Sequence, residues 1–168
     1  MTAGERSTGT PGPGVGATPR VRPAREADGA ALTSLARRSK AAWGYPESWL
    51  TEWESALTLA PAYLREHEVF VAELNDEAVG VVALEVGPGG AEIGHLWVAP
   101  EHQGRGVGRT LMERAVARAG ELGQASIRIE SDPNARGFYE RLGAIPEGEV
   151  EAPVAGQSRW LPVLRLFL

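Results

Sequence analysis

Apolar and polar residues divide this chain into short elements. Arg20–Ala24 alternates and predicts a strand, and Pro23 assigns it to a sheet edge because proline cannot donate to a ladder. Asp28 stands before Ala31, Leu32, Leu35 and Ala36, apolar positions at helical spacing behind a capping residue. Trp43-Gly44-Tyr45-Pro46 breaks that helix, and Leu50, Trp53 and Leu57 predict a second over Glu47–Leu59. Glu68–Leu74 and Ala78–Val86 read as strands joined by the turn Asn75-Asp76-Glu77, hence a hairpin. A glycine-proline turn at 87–90 leads into the strand Glu92–Val98. Val107, Leu111, Met112, Ala115, Val116, Ala119 and Leu122 then form one helical stripe that Gly123 ends. Ala125–Glu130 predicts a strand and Asn134–Leu142 a short helix closed by Gly143. Two last strands are expected near 145–150 and 158–167.

The order β-α-α-β-β-β-α-β-α-β-β mixes hairpins with crossovers and predicts an α/β fold around a sheet of mixed direction. The 168 residues fit one domain with enough interior to need no disulfide or metal staple. Residues 1–19, rich in glycine, proline and threonine, are expected to form a disordered tail, with the folded domain over 20–168. No stretch reads as a signal peptide or a membrane span, so a cytoplasmic protein with no membrane partner is expected. The net charge of −5 argues against a nucleic-acid partner. With no cysteine there is no thiolate metal site and no cysteine nucleophile. His67, His95 and His102 lack paired-ligand spacing, so no metal is expected. Nothing resembles a Ser-His-Asp arrangement.

The informative segment is His95-Leu96-Trp97-Val98, followed by Gln103-Gly104-Arg105-Gly106-Val107-Gly108-Arg109. A strand runs into a glycine loop that opens a helix, an arrangement suited to an anion. A dinucleotide fingerprint would need glycine where Arg109 stands, and a phosphate loop would need a lysine, whereas the chain's one lysine is Lys40. Arg105 and Arg109 oppose the helix dipole unless a polyanion docks beside them.

The remaining pattern, Q-x-x-G-x-G after a strand ending Leu-x-Val, resembles the pyrophosphate-binding motif of the GCN5-related N-acetyltransferase (GNAT) superfamily. The segment Asp132-Pro133-Asn134-Ala135-Arg136-Gly137-Phe138-Tyr139-Glu140-Arg141-Leu142-Gly143-Ala144 is similar to that family's later motif, with Asp132 where many members carry asparagine and Ala144 where phenylalanine is usual. Arg38-Ser39-Lys40-Ala41-Ala42-Trp43-Gly44-Tyr45 resembles a segment of a subgroup of small bacterial acetyltransferases. The resemblance implies a mostly antiparallel central sheet flanked by about four helices. It also implies direct transfer of an acetyl group from acetyl-CoA, the co-substrate, to an amine, and a possible homodimer.

On that resemblance Leu96, Trp97 and Val98 would border the pantetheine arm, and Gln103 to Arg109, namely Gln103, Gly104, Arg105, Gly106, Val107, Gly108 and Arg109, would hold the pyrophosphate. Asp132, Asn134, Arg136 and Phe138 complete the expected coenzyme contacts. Tyr139 is expected to protonate the departing thiolate, or else to pack the helix on the sheet beside Phe138. Glu92 is the first choice of base and His95 the second. Simple alternation puts Glu92, Gly94, Leu96 and Val98 on one face and Ile93, His95 and Trp97 on the other, unless a bulge changes the parity. Trp43 and Tyr45 are expected to meet the acceptor, a small-molecule or peptide amine, while Trp49 and Trp53 are expected in the core. A non-catalytic acyl-CoA-binding module and a protein-directed acetyltransferase acting on N-termini or lysines are the alternatives.

Overall fold

The computed structural model describes residues 17–168. The expected tail therefore lies, through residue 16, outside the described residues. Seven strands form one sheet in the order β1-β2-β3-β4-β5-β7-β6. They are β1 (Arg20–Pro23), β2 (Glu68–Leu74), β3 (Glu77–Gly87), β4 (Gly90–Val98), β5 (Ser126–Glu130), β6 (Ile145–Glu151) and β7 (Trp160–Phe167). Every neighbouring pair is antiparallel except β4–β5. β1 with Pro23 is an edge strand, as the proline requires. Five α-helices flank the sheet: α1 (Gly29–Ala41), α2 (Glu47–Glu52), α3 (Pro61–Glu66), α4 (Val107–Glu121) and α5 (Arg136–Arg141). No helix among the described residues is long and apolar enough to cross a membrane.

One helix differs from the expected course. The chain leaves the helical path after Glu52 and starts again at Pro61, where a proline at the first turn is tolerated. Leu57 and Leu59 explain the break. Two residues apart, they would point to opposite sides of a helix, yet both are buried in the same cluster. Turning the chain lets both reach the core, and the Leu59 amide donates to the Thr33 hydroxyl at 2.9 Å.

Two apolar clusters lie on the two faces of the sheet. On one face, Val107, Leu111, Met112, Ala115 and Ala119 of α4 and Tyr139 of α5 pack on Phe70, Val82, Leu84, Ile93 and Ile127. On the other, Leu32, Leu35 and Ala36 of α1 pack on Val69, Val71, Val81 and Ala83 with Leu57, Leu59 and Leu64.

β4 departs from simple alternation. Ala83 pairs with His95 but Leu84 pairs with Ile93, so Gly94 is the extra residue of a bulge. Ala91 and Ile93 face α4 before the bulge, and Leu96 and Val98 pack on the same cluster after it. The expected grouping is therefore corrected. Glu92 shares a face with His95 and Trp97, not with Leu96 and Val98.

Gly80 of β3 sets how close α4 lies. A Cβ there would come within 2.8 Å of Leu111 Cδ1, 3.0 Å of Val107 Cγ1 and 3.2 Å of the Trp97 carbonyl oxygen. Gly80→Ala should thus force the first turns of α4 off the sheet and cost about 1–3 kcal/mol, the usual range for overpacking. Urea denaturation checks this; an unchanged midpoint would mean that α4 moves freely there.

Candidate active site

The glycine loop ends in a helix start built from left-handed backbone. Gly104 (φ +72°) and Gly106 (φ +84°) both need glycine, and no atom lies within 4 Å of where either Cβ would stand. Gly106 occupies the N-cap of α4, so the first amide groups of the helix have no intrahelical acceptor and face open space. Gly108 permits a different contact, since a Cβ there would lie 3.2 Å from the Phe138 ring. The loop is thereby a concave set of N–H donors at the positive end of a fifteen-residue helix.

From this loop a cleft of about 570 Å³ runs along β4 to α5. It exists because β4 and β5 pair at only two positions, Ala91 with Ile127 and Glu92 with Arg128. Beyond them the strands part. Gln103 partly closes the gap by donating its side-chain amide to the Val98 carbonyl at 3.2 Å. The cleft is lined by Leu96, Trp97, Val98, Gln103, Gly104, Gly106, Gly108, Arg109, Asp132, Asn134, Phe138 and Tyr139. Val107 is instead buried on the sheet side of α4, Arg105 and Glu92 lie outside the lining, and Arg136 is exposed and paired with Glu140 at 2.9 Å.

Tyr139 is 6% exposed and lines the cleft; among the described residues its hydroxyl has no hydrogen-bond partner. Burial pushes that hydroxyl far above the ordinary tyrosine range, with the Asp132 charge acting in the same sense. It stays protonated throughout the physiological range. Phe138 meets it edge to face at 5.1 Å between ring centroids.

His95, Trp97 and Glu92 occupy the α1–α3 face. The Trp97 indole N–H donates to His95 Nδ1 at 2.9 Å. Indole is only a donor, so a neutral His95 must carry its proton on Nε2. Burial pushes His95 down to about 4, which keeps it neutral and makes it an N–H donor rather than a proton acceptor. Glu92 accepts from Arg128 at 2.9 Å. Burial nevertheless raises its proton affinity above the ordinary glutamate value, aided by Glu130 and Glu85 and opposed by Arg128.

Asp132 is the most heavily bonded side chain of the region. Its Oδ2 meets Lys40 Nζ at 2.6 Å and Arg159 at 2.9 Å, and all three side chains are about one-tenth exposed. The Tyr45 hydroxyl donates to the same carboxylate at 3.0 Å, and Asn134 donates to it from both its side chain and its backbone at 2.9 Å. Lys40 also lies 4.4 Å from the Trp53 ring centroid, and Arg159 lies 4.8 Å from it. Burial resists the charge on Asp132, but Lys40 and the hydrogen bonds hold its carboxyl below the usual range. Burial likewise pushes the Lys40 ammonium down, against the pull of Asp132. Asp132 thus spends its oxygens inside the protein while bordering the cleft. Tyr45 is turned to it and stacks on Trp49 at 5.7 Å, leaving Trp43, 38% exposed, as the aromatic of that loop that lines the cleft.

Lys40 and Arg159 were not singled out by sequence reasoning. A signal for Lys40 was present: it sits four residues after Ala36 and eight after Leu32, on the apolar stripe of α1, where a charge needs a buried partner. For Arg159, far along the chain, no local signal exists.

Asp132→Asn should leave two buried cations with a neutral partner and destabilise the fold by about 3–5 kcal/mol. Lys40→Met should cost less, because Arg159 still pairs with Asp132. Chemical denaturation of both variants gives the comparison, and a smaller loss for Asp132→Asn would remove the carboxylate from the centre of this cluster.

The model of the acetyltransferase (GNAT) family matches residues 31–144, which include both the glycine loop and α5. Among solved structures, a GCN5-related N-acetyltransferase from Rhodopseudomonas palustris is 26% identical, with 94% of this chain and 100% of that one covered and a TM-score of 0.78. The PaiA N-acetyltransferase from Thermoplasma acidophilum, in complex with coenzyme A, is 18% identical over 90% of this chain and 100% of that one, with a TM-score of 0.69. The ribosomal-protein-S18-alanine N-acetyltransferase from Escherichia coli is 19% identical over 89% and 93%, with a TM-score of 0.67. The latter two are likenesses of fold. On the match of its family model, the chain belongs to the acetyltransferase (GNAT) family and is by that membership an acetyl-CoA-dependent N-acetyltransferase.

Proposed function

We propose that this enzyme moves an acetyl group from acetyl-CoA directly to the primary amine of a small molecule or peptide, with Tyr139 as acid and Glu92 as base. The observation that carries this reading is the continuity of the cleft. It joins the unpaired amides of the loop at 104–109, the free edge of β4 and the Tyr139 hydroxyl. A long molecule with a diphosphate at one end and a thioester at the other matches that order. The loop amides, with Arg109 beside them, take the diphosphate. The edge of β4 offers backbone groups to the amide-bearing arm.

An aliphatic amine arrives protonated, and freeing it at pH 7 costs about 4.6 kcal/mol for a reference value of 10.4. A base must therefore stand on the acceptor side. Glu92, with its raised proton affinity, suits that task, whereas His95 has its Nδ1 occupied and its Nε2 protonated. The amine nitrogen attacks the thioester carbonyl, the N–C bond forms and the C–S bond breaks. One ammonium proton goes to Glu92 and on to water. Tyr139 gives its proton to the thiolate, and the second nitrogen proton restores it through solvent. Trp43 flanks the acceptor side in this reading.

Two sets of variants test it. Gly106→Glu puts a side chain on left-handed backbone and a carboxylate where the diphosphate approaches, so acetyl-CoA binding should vanish in calorimetry while the fold persists. Unchanged affinity in a folded variant would sink the assignment.

Tyr139→Phe keeps the ring and should lower kcat by about 10²–10⁴-fold with acetyl-CoA affinity preserved. Because burial holds the Tyr139 proton well past its ordinary range, no alkaline limb of the wild-type profile should belong to it below about pH 10. Glu92→Gln should hurt most at low pH, where free amine is scarcest. Full turnover in Tyr139→Phe would make the tyrosine a packing residue.

A further inference from the structure

On the α3 side of the sheet, where β4 leaves β5, Tyr63 and Glu85 close over Gly94. The Tyr63 hydroxyl donates to Glu85 Oε1 at 2.6 Å. A Cβ on residue 94 would collide with both that oxygen and the Tyr63 hydroxyl, so the pair occupies the space a side chain would need. Gly94 itself is exposed and lines the cleft. The Glu85 carboxylate therefore stands over the backbone of a cleft-lining residue, while Glu85 and Tyr63 themselves lie just outside the lining.

The charge there is unbalanced. Glu85 has no arginine or lysine within ion-pair distance among the described residues. Glu92 stands directly opposite it in the β3–β4 ladder, on the same face. Arg128 serves Glu92 at 2.9 Å and Glu130 at 2.7 Å, so one guanidinium faces three carboxylates. Tyr63 adds no charge, because burial and Glu85 together hold its hydroxyl protonated.

A second observation points to a ligand. His95 is 8% exposed and lines the cleft. Its ring meets the Tyr63 ring edge-on at 5.2 Å. With Nδ1 taken by Trp97, the Nε2–H is left without a partner among the described residues. Because His95 lines the cleft, that donor is open to an oxygen of a molecule bound there.

We propose that Glu85, held in place by Tyr63, receives the acceptor as an ammonium ion, so that the acceptor is a basic aliphatic amine and not a weakly basic arylamine. The inference rests on the acetyl-transfer reading above. It divides labour between two neighbouring carboxylates: Glu85 binds the cation and Glu92 takes its proton. Tyr63 is a positioning residue, since it acts through Glu85.

The test uses the full chain with acetyl-CoA and four probes: phenethylamine, cadaverine, a tripeptide beginning with alanine, and aniline, which is uncharged at neutral pH. Thiol release gives kcat and KM, and calorimetry gives acetyl-CoA affinity. Glu85→Gln keeps an acceptor for the Tyr63 hydroxyl and removes the charge. It should raise KM for the best aliphatic amine by about 10- to 100-fold, the scale of a lost charge-assisted contact, with acetyl-CoA affinity unchanged. Tyr63→Phe should raise the same KM by a smaller factor, and it carries the test alone if Glu85→Gln does not fold. Glu92→Gln should lower kcat instead. A KM unmoved in Glu85→Gln, or in Tyr63→Phe where that variant stands alone, overturns the inference and leaves the transferase reading intact. Aniline turned over faster than the aliphatic amines does the same. Acetyl-CoA bound with no probe acetylated, or acetyl-CoA not bound at all, overturns the transferase reading and the inference with it.

Discussion

The site depends on β4 and β5 being neighbours for only two residues. Parallel strands normally hold an evenly spaced ladder along their length. Here the ladder ends at Glu92 and Arg128, and the rest of β4 presents its free edge to the cleft. An unpaired backbone group is costly when buried, at about 1–3 kcal/mol each, so such an edge persists only where side chains, water or a bound molecule can satisfy it. Gln103 meets one of its carbonyls, that of Val98, at 3.2 Å. The bulge at Gly94 falls just after the last shared pair and rotates β4 by one side-chain position. One extra residue thereby frees the edge and also moves Glu92 to the face of His95.

Parted strands need something to hold the gap at a fixed width, and the Asp132 cluster does this. Lys40 comes from α1, Tyr45 from the loop after it, Asn134 from the turn before α5, and Arg159 from the start of β7. Three parts of the chain, 40–45, 132–134 and Arg159, thus meet at one carboxylate. Desolvating these charges is expensive, and a cluster of this kind is weak as a source of stability. Its effect is positional. α5 has only six residues and would hold its orientation poorly by itself, yet it carries Tyr139. Anchoring its entry to α1 and β7 fixes where that hydroxyl points.

Local patterns made the architecture legible. The stripe of α4, the hairpin at Asn75-Asp76 and the glycines at 104 and 106 each encode their own geometry, and those elements stand where they were expected. Both Asn75 (φ 51°) and Asp76 (φ 64°) take the left-handed turn conformation such residues tolerate. The early end of the helix expected over Glu47–Leu59, which stops at Glu52, was hidden because helical spacing at Leu50, Trp53 and Leu57 is satisfied equally by a turn that lets Leu59 in, and α3 beyond it was not expected. A bulge in β4 was allowed for, but its place at Gly94 was hidden for a related reason: a bulge is a relation between two strands, and β4 read alone gives only an alternating series. That Asp132 centres a buried ion cluster was not legible, because its partners Lys40 and Arg159 lie 92 and 27 residues away. Motif spacing reports backbone geometry well. It does not report which side chains neutralise one another across the fold.

The two faces of β4 therefore carry different chemistry. Tyr139 and the glycine loop lie toward α4 and α5, whereas Glu92, Glu85 and His95 lie toward α1 and α3. On the proposed reading, the thioester enters from the first side and the amine from the second, and they meet where β4 has no neighbour. Acid and base are then separated by the strand itself. That separation matters, because a carboxylate placed beside Tyr139 would hold its hydroxyl proton more tightly and make it a poorer acid. A buried, protonated tyrosine on one face and charged glutamates near solvent on the other can keep different protonation states at one pH. Glycine at the bulge leaves the Tyr63–Glu85 pair its place, since a side chain there would have to push the ends of both aside.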